Sequence, residues 1–304
     1  MIKALEFFSG IGAFAVAARQ SGLIEIVSAF DQSEAANRVY QLNFGHAPRA
    51  RNLDSIPSRE IPEADVWWLS PPCTPYSVRG KQKDADDARA QSFLHLISLI
   101  GDHRPRFLAV ENVLGFKTSK VNEILQNALM KHGYSVRVFD LCSTELGTPM
   151  RRPRHFVLAS TTPLPVPETP HNAGTQPLRT YLIDGTCERS ELRPSDETVQ
   201  RYGESYDIVD PLDELAVAIC FTSGYGKSQK VSGSLIKIPH STNQLRRFSP
   251  REILNLLGFP ADFQLPEDIP LETAWRLVGN SVDVRCVQFC LHQMMRAAPS
   301  VPLS

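Results

Sequence analysis

The sequence lacks the features that mark several large classes of protein. Its 304 residues contain no signal peptide and no apolar run of transmembrane length, so we expect a cytoplasmic protein without a membrane partner. The six cysteines form no Cys-x-x-Cys pair and have no histidine at metal-ligand spacing, which argues against a metal site. The net charge of −1 excludes a uniformly basic nucleic-acid coat protein, so a nucleic-acid partner would have to meet a local basic surface.

What the sequence does contain is enough apolar material for a sizeable core. Hydrophobic residues make up 42% and charged residues 21%, and the length suits one large domain with or without a smaller one. The composition changes at Thr161, because residues 161–177 carry five prolines. A domain boundary is therefore predicted there, in a chain that we expect to be a monomer.

The N-terminal residues have the pattern of a strand, a glycine turn and a helix. Ile2–Phe8 is apolar, the turn reads Ser9-Gly10-Ile11-Gly12, and a helical pattern follows. This arrangement lets backbone N–H groups approach a bound cofactor closely. A second predicted strand ends in Asp31, which is placed either to bind a ribose diol or to cap the helix predicted over 34–42. Asp54 also has two interpretations, a contact to an adenine amino group or a plain turn.

A proline-rich segment follows the apolar strand predicted over 66–69. It reads Ser70-Pro71-Pro72-Cys73-Thr74-Pro75-Tyr76-Ser77. Proline fixes φ at about −65° and lacks an N–H, so the segment cannot continue as a helix or a central strand. We predict a stiff loop at the carboxyl end of a strand, the edge at which open α/β sheets bind ligands. Taken alone, the pattern is more typical of a turn with a small buried cysteine.

Two further groups of polar residues stand beside predicted strands. A strand over 107–110 is followed by Glu111-Asn112-Val113, which would lie beside the cysteine loop if the two strands are neighbours in a parallel sheet. Alone, Glu111 fits the first turn of a helix as well. Arg151-Arg152-Pro153-Arg154 connects two later strands, and its guanidinium groups suit bidentate contact with a base edge, phosphate or carboxylate, although such a charge run is usually solvated surface.

The C-terminal third has clear helix signals. Ser249, Pro250 and Glu252 form the pattern of a capping box with proline in the first turn. A strand is predicted over 216–221, and one final helix from about residue 277 to residue 296. Cys286 and Cys290 lie one turn apart in that helix, so we predict that they pack in the core.

Six of these segments, in this order, resemble the motifs of the cytosine C5-methyltransferases. They are Phe8-Ser9-Gly10-Ile11-Gly12, Pro71-Pro72-Cys73, Glu111-Asn112-Val113, Arg152-x-Arg154, the block from Arg247 to Pro260, and Gly279-Asn280-Ser281-Val282. The resemblance spans residues 2–160 and 245–296. It implies an α/β fold with an S-adenosylmethionine-dependent methyltransferase (Rossmann-like) domain over 1–160, a small target-recognition domain over 161–274, and a C-terminal helix over 275–304 that returns to the catalytic domain.

Finer features resemble the branch of this family that methylates transfer RNA. They are Pro72-Cys73-Thr74-Pro75-Tyr76, Asp87-x-Arg89, Ser92-Phe93-Leu94-His95, and above all Cys220-Phe221-Thr222 with Gly224-Tyr225-Gly226. The resemblance implies tRNA as the partner, with methylation of cytosine 38 in the anticodon loop of aspartate or glutamate tRNA. It also implies S-adenosylmethionine as methyl donor and S-adenosylhomocysteine as product.

The resemblance assigns roles to individual residues. The residues implied in catalysis are Cys73, Glu111, Arg152 and Arg154. Those implied in cofactor binding are Phe8, Ser9, Gly10, Ile11, Gly12, Asp31, Asp54, Ser70, Pro72, Asn280, Ser281 and Val282. Contacts with the RNA are expected from Arg79, Lys81, Cys220, Phe221, Thr222, Tyr225, Arg246 and Arg247, although each charged side chain fits a solvated surface position too.

These residue types answer a chemical difficulty. C5 of cytosine is a weak nucleophile, and addition of a thiolate to C6 places electron density on C5. Cys73 is the candidate nucleophile, because thiolate is the strong protein nucleophile near neutral pH. Glu111 at N3 and Arg154 near O2 would stabilise the negative charge of the adduct. Arg152 is expected to keep the thiol ionised or to orient the loop.

Three alternatives stay open. The first is a DNA enzyme of the same family. The middle segment over 161–245 argues against it, because this segment is shorter than the recognition regions that such enzymes often carry. The second is a catalytically silent nucleic-acid-binding module. The third, a cysteine hydrolase, lacks an evident histidine partner. The sequence also departs from the broad family pattern at Ala13, Thr74, Tyr76 and Met150, and the residues at 74 and 76 leave the loop geometry open.

Overall fold

A computed structural model describes residues 1–74, 76, 84–166, 168–170, 174–227, 232–239, 241 and 244–297. The chain forms two compact units. The first comprises Met1–Leu141, Pro153–Thr169 and the residues from Cys286 onward, and the second comprises Cys142–Arg152 and Pro170–Arg285. These bounds differ from the predicted ones at 160 and 274. Residues 142–152 already belong to the second unit, because the strand within them pairs there.

The described residues contain eleven strands and nine α-helices. The strands are β1 Ile2–Phe7, β2 Ile24–Phe30, β3 Val66–Leu69, β4 Phe107–Asn112, β5 Ser135–Cys142, β6 Met150–Arg151, β7 Pro153–Ser160, β8 Ile208–Val209, β9 Ala218–Ile219, β10 Leu235–Lys237 and β11 Leu245–Arg247. The helices are α1 Ala13–Ser21, α2 Glu34–Phe44, α3 Gln91–Ser98, α4 Ile100–His103, α5 Lys120–Lys131, α6 Asp196–Tyr202, α7 Pro250–Leu256, α8 Leu271–Asn280 and α9 Val284–Met295. No helix among them is both long and apolar enough to span a bilayer.

The first unit is built on a six-stranded sheet with the order β2-β1-β3-β4-β7-β5. Strands β2, β1, β3 and β4 are parallel, and β7 runs antiparallel to β4. All four residues of β3, the apolar run Val-Trp-Trp-Leu, are buried, as expected for a parallel strand that is covered on both faces. The predicted α/β architecture is confirmed.

The register of this sheet brings three predicted motifs to one edge. Phe7 of β1 pairs with Leu69 of β3, and Leu69 pairs with Val110 of β4. The glycine turn, the Pro-Pro-Cys loop and Glu111 therefore follow adjacent strand ends. This is the edge at which parallel α/β sheets bind ligands.

The second unit contains two small sheets, β6-β9 and β11-β10-β8. Helix α7 begins with the predicted capping box, in which Ser249 accepts from the backbone N–H of Glu252 and the Glu252 side chain accepts in return, with Pro250 in the first turn. The predicted strand over 216–221 is reduced to Ala218–Ile219.

The prediction of one continuous C-terminal helix is wrong, because two helices occupy this segment. Helix α8 ends at Asn280, Ser281 is extended, and α9 starts at Val284. The break is stabilised by Asp283, whose carboxylate accepts from the backbone N–H of Arg285 at 2.9 Å and so satisfies one of the unpaired donors at the start of α9. The prediction that Cys286 and Cys290 pack in the core is confirmed, since both are buried.

A buried carboxyl group lies beneath the glycine turn. Glu6 of β1 is 2% exposed and accepts from the Tyr40 hydroxyl at 3.0 Å and from the backbone N–H groups of Phe14 and Ala15. Burial raises the pKa of Glu6 to about 8, although the hydrogen bonds from Tyr40 and Ala15 lower it, and the charge of Asp31 adds to the rise. Glu6 is therefore protonated in the folded protein over a pH range in which the unfolded chain ionises it.

We predict that Glu6→Gln removes a pH dependence of stability. In the wild type, the contribution of Glu6 to the free energy of unfolding is fully present below the pKa of glutamate in the unfolded chain. It falls as the pH rises toward about 8, because only the unfolded chain ionises this group over that range. Glutamine keeps the acceptor for Tyr40 without a charge. Melting temperatures at about pH 5 and about pH 8 should therefore diverge less for the variant than for the wild type. Glu123→Gln, at an exposed position of α5, is the control, and equal slopes for Glu6→Gln and wild type would contradict the assignment.

Candidate active site

The glycine turn after β1 has an unusual backbone. Phe8, Gly10 and Gly12 have φ values of 57°, 53° and 90°, so three residues of the turn are left-handed. At Gly12, which caps α1, a Cβ would lie 2.5 Å from the Phe44 ring. Phe8 adopts this conformation although it has a side chain, and such strain is concentrated at functional sites.

Asp31 at the end of β2 holds the turn in place. Its carboxylate accepts from the backbone N–H of Gly10 at 2.8 Å and from that of Ser33 at 2.7 Å. Burial raises the pKa of Asp31, while these two N–H groups lower it in part. Ser33, not Asp31, caps α2 by accepting from the N–H of Ala36, so the helix-cap interpretation of Asp31 is wrong.

The turn has one buried hydroxyl without a hydrogen-bond partner among the described residues, and room for a ligand. The Ser9 hydroxyl is buried and has no hydrogen-bond partner among the described residues. A Cβ built on Gly10 would meet nothing within 4 Å, so space is open above it. Both observations fit a small polar cofactor lying on the turn.

The remaining predicted cofactor residues of the first unit have varied environments. Ile11 is buried in the core. Asp54 is exposed and accepts from the Ser92 hydroxyl. The Ser70 hydroxyl accepts from the indole N–H of Trp68 at 3.0 Å, and Pro72 is exposed.

The Pro-Pro-Cys loop is fixed from both of its ends. Before the cysteine, the Asn112 amide donates to the Pro71 carbonyl at 3.0 Å. After it, the Tyr76 N–H donates to the Cys73 carbonyl at 3.0 Å, and the Tyr76 side chain is buried. Cys73 itself is exposed, so the interpretation as a turn around a buried cysteine is wrong.

Glu111 and Arg154 form a sheltered ion pair on neighbouring strands. Arg154 Nε lies 3.1 Å from Glu111 Oε1, and each side chain is 12% exposed. Glu111 pairs with Phe156 in the β4–β7 register, which places Arg154 two residues away on the same face of the sheet. A plain solvated charge is therefore excluded for Arg154. Burial raises the pKa of Cys290 in α9, and the charge of Glu111 raises it further.

Arg152 belongs to the second unit, where it is 2% exposed. Its guanidinium donates to the carbonyls of Phe221 at 2.7 Å and Gly279 at 3.1 Å, to the Ser281 carbonyl, and to the Cys220 sulfur at 3.0 Å. A Cβ on Gly279 would overlap the backbone of Thr222. Arg152 therefore joins the Cys-Phe-Thr and Gly-Asn-Ser segments through their backbones, and its predicted catalytic role stays a prediction.

Several predicted RNA contacts lie in the core of the second unit. Phe221 and Tyr225 are buried with their rings 5.0 Å apart, and the Tyr225 hydroxyl donates to Ser234 and accepts from Phe248. Arg246 is 2% exposed and its guanidinium lies 2.9 Å from both oxygens of the fully buried Glu252. These positions contradict direct contacts of the three side chains with a nucleic acid, because a buried, paired group cannot reach a phosphate.

Other predicted RNA contacts differ from these three. Cys220, Thr222 and Arg247 are partly exposed, and the Arg247 guanidinium lies 5.8 Å from the centre of the Trp275 ring. Arg79 and Lys81 lie outside the described residues. Among the residues that the structure does describe, no three His, Cys, Asp or Glu side chains are grouped as a metal site requires.

The sequence reasoning missed the ion pair between Asp87 and Arg89. Asp87 is buried, and its carboxylate accepts from Arg89 Nε at 2.8 Å and Nη2 at 2.6 Å. The pKa of Arg89 is raised by this hydrogen bond first and also by the charge of Cys73. The sequence analysis used Asp87-x-Arg89 only as a mark of one branch of the family, although the same three residues could have indicated this ion pair.

Comparison with known proteins gives the family. The sequence profile of the C-5 cytosine-specific DNA methylases matches residues 2–296. The chain belongs to this family. It is 28% identical to a human protein named tRNA (cytosine(38)-C(5))-methyltransferase, over 94% of this chain and 97% of that protein. A Dictyostelium discoideum relative named DNA (cytosine-5)-methyltransferase is 26% identical, over 94% and 92%.

Solved structures show the same relationship. The Entamoeba histolytica methyltransferase EhMeth superposes with a TM-score of 0.89 at 28% identity, covering 99% of both chains. The predicted membership of the cytosine C5-methyltransferases, and with it the S-adenosylmethionine-dependent methyltransferase fold, is confirmed. This cytosine C5-methyltransferase thus carries its Cys73 loop, Glu111 and Arg154 at one edge of its sheet.

The environment of Arg246 leads to a prediction. Arg246→Met should lower the free energy of unfolding by about 3–5 kcal/mol, because it leaves the Glu252 carboxylate buried without its cation. Arg247→Met, at the neighbouring partly exposed position, should cost little stability. Urea denaturation of both variants measures this difference. An unchanged stability for Arg246→Met would show that Arg246 is a surface group after all.

Proposed function

We propose that this protein is a tRNA cytosine C5-methyltransferase that acts on cytosine 38 in the anticodon loop of aspartate or glutamate tRNA. The observation that carries the proposal is the Glu111–Arg154 ion pair, which lies next to the strand end that leads into Cys73. The human relative with that printed activity supports the choice of RNA. An anticodon-loop base is already partly unstacked, which lowers the cost of placing it in a pocket.

The chain's own residues account for the activation of cytosine. The Cys73 thiolate adds to C6 and forms a carbon–sulfur bond, and the electron pair of the C5–C6 double bond moves toward N3 and O2. Glu111 takes up a proton from solvent as the base enters and shares it with N3, and Arg154 donates to O2. Their mutual ion pair fixes both groups before the base arrives, so little reorganisation is needed. After methylation, a water molecule takes the C5 proton, the electron pair of the C5–H bond re-forms the C5–C6 double bond, the carbon–sulfur bond breaks to expel Cys73 as thiolate, and the N3 proton returns to Glu111.

S-adenosylmethionine, when bound, supplies the electrophilic methyl group. The turn from Phe8 to Gly12 would hold it, with the Ser9 hydroxyl and the space above Gly10 facing it. Asp31 would accept from the ribose hydroxyls and Asp54 from the adenine amino group. Ser70, Pro72 and Asn280-Ser281-Val282 stay assigned to the cofactor by resemblance, and the family's use of this methyl donor supports the assignment.

The central prediction concerns the nucleophile. Transfer of labelled methyl groups to tRNA should be abolished by Cys73→Ala, and Glu111→Gln should lower kcat by roughly 10²-fold or more, since proton transfer contributes about that much. Cys187→Ala, at a partly exposed cysteine of the second unit, is the matched control. Methylation that persists in Cys73→Ala would refute the mechanism. A wild type that binds RNA without forming an adduct with 5-fluorocytosine would instead indicate a silent binding module.

A DNA substrate is the second candidate function, because the Dictyostelium relative bears the name of a DNA enzyme. Methyl incorporation into tRNA and into duplex DNA under equal conditions decides between them. We expect tRNA to be methylated in clear preference. Bisulfite sequencing of the product should then show protection at cytosine 38, and a preference for duplex DNA would overturn the RNA assignment.

A further inference from the structure

A polar cluster lies on the face of the sheet opposite the Glu111–Arg154 pair. Successive side chains of a strand point to opposite faces, so His155 is directed away from the face of Arg154. His155 is 2% exposed, and its Nδ1 lies 2.7 Å from Asp140 Oδ1 on β5. Asp140 Oδ2 in turn lies 3.1 Å from Lys117 Nζ. Burial alone would raise the pKa of Asp140, but the hydrogen bonds from His155 and Lys117 lower it overall.

This cluster is connected to the nucleophile loop through a short turn. Lys117 belongs to the 3₁₀ turn Leu114–Thr118, which directly follows the Glu-Asn-Val motif. Phe116 of that turn is fully buried, with its ring centre 6.3 Å from that of His155 and 5.0 Å from that of Tyr76. A Cβ on Gly115 would overlap the Tyr76 carbonyl, so the turn and the loop are in close contact. Tyr76 then donates to Cys73.

A second connection runs through the sheet. His155 pairs with Asn112 in the β4–β7 register. Asn112 is the residue whose side chain donates to the Pro71 carbonyl, two residues before Cys73. His155 therefore lies beside both supports of the loop, the one before the cysteine and the one after it.

A histidine at this position is costly if it serves only to fill space. The next residues of β7, Phe156 and Val157, are apolar and fully buried. His155 Nε2 is buried and has no hydrogen-bond partner among the described residues, and such an atom costs free energy that an apolar side chain would avoid. Buried polar groups that are retained at a cost are found where they fix one geometry at a functional site.

We propose that His155, held by Asp140, is a positioning residue that fixes the 3₁₀ turn and thereby the Cys73 loop. It contacts neither the base nor the cofactor in this assignment. The effect of His155 on catalysis rests on one part of the proposed function, namely that Cys73 is the nucleophile. The geometric part, that the pair restrains the loop, does not depend on the identity of the RNA.

The test is a set of variants at the pair. His155→Phe keeps a ring of similar size against Phe116 but cannot bond Asp140, and Asp140→Asn keeps the shape of the partner without its charge. Glu123→Gln removes an exposed ion pair of α5 in the same unit and is the matched control. His155→Gln, which retains an N–H donor, should recover part of any loss.

Hydrogen exchange is the first measurement, because it needs no substrate. In His155→Phe, peptides that contain Tyr76 or Phe116 should exchange about tenfold faster, while those of β1 and α1 stay unchanged. Unchanged exchange at both sites would overturn the proposal. Faster exchange throughout the unit would also overturn it, since that result shows general destabilisation.

Kinetics is the second measurement. We expect kcat to fall about tenfold in His155→Phe with the KM for the cofactor within about twofold of wild type, because the loop is displaced and the cofactor turn is not. The double variant with Asp140→Asn should be no worse than His155→Phe if the pair acts as a unit. An unaltered kcat would refute the positioning role. If the wild type methylates no RNA, the proposed function fails, while the exchange experiment still decides this inference.

Discussion

The hydrogen bond from the Asn112 amide to the Pro71 carbonyl joins the Cys73 loop to the strand that carries Glu111. A segment with three prolines has few N–H groups of its own, so backbone hydrogen bonds alone hold it only in part. The rest of its support has to come from outside the loop. Asn112 supplies this from the neighbouring strand, and the same strand carries Glu111. The loop of Cys73, the proposed nucleophile, is therefore held by the same strand that carries Glu111.

Side chains alternate between the two faces of the sheet along β4 and β7, so two different groups of residues lie near that hydrogen bond. On one face, Glu111 and Arg154 form the ion pair that suits a cytosine ring. On the other face, His155 bonds Asp140 and packs against Phe116. A shift of β7 by one residue would exchange these two sets. Phe156 and Val157, which follow in β7, are fully buried, one on each face of the sheet.

Much of this arrangement was predictable from the sequence, and the reason is local. The strand before Cys73 is a continuous apolar run, the turn before α1 needs glycine, and Ser249 with Glu252 fits only the start of a helix; each signal lies within a few residues. Asp31 was harder to assign, because a carboxylate after a strand suits a cap and a ligand equally. Only the structure shows that Ser33 is the cap. The break between α8 and α9 was missed because its hydrophobic pattern continues, and the cap by Asp283 is a single residue.

The sequence did not allow us to predict which motif residues of the second unit are buried. Phe221 and Tyr225 belong to segments that resemble one branch of the family, Arg246 directly precedes another family-like segment, and aromatic and basic residues are the types that bind RNA. The same types also form a core when an aromatic cluster surrounds a satisfied hydroxyl, as at Tyr225, or when an arginine meets a buried carboxylate, as at Glu252. A motif identifies which residues a family shares, but it does not show whether their side chains bind the ligand or pack against other residues of the protein. Arg152 illustrates the distinction, since its donors are directed to the backbones of two other motifs. In this unit a shared motif therefore fixes backbone geometry first, and contact with a substrate has to be argued from exposure, residue by residue.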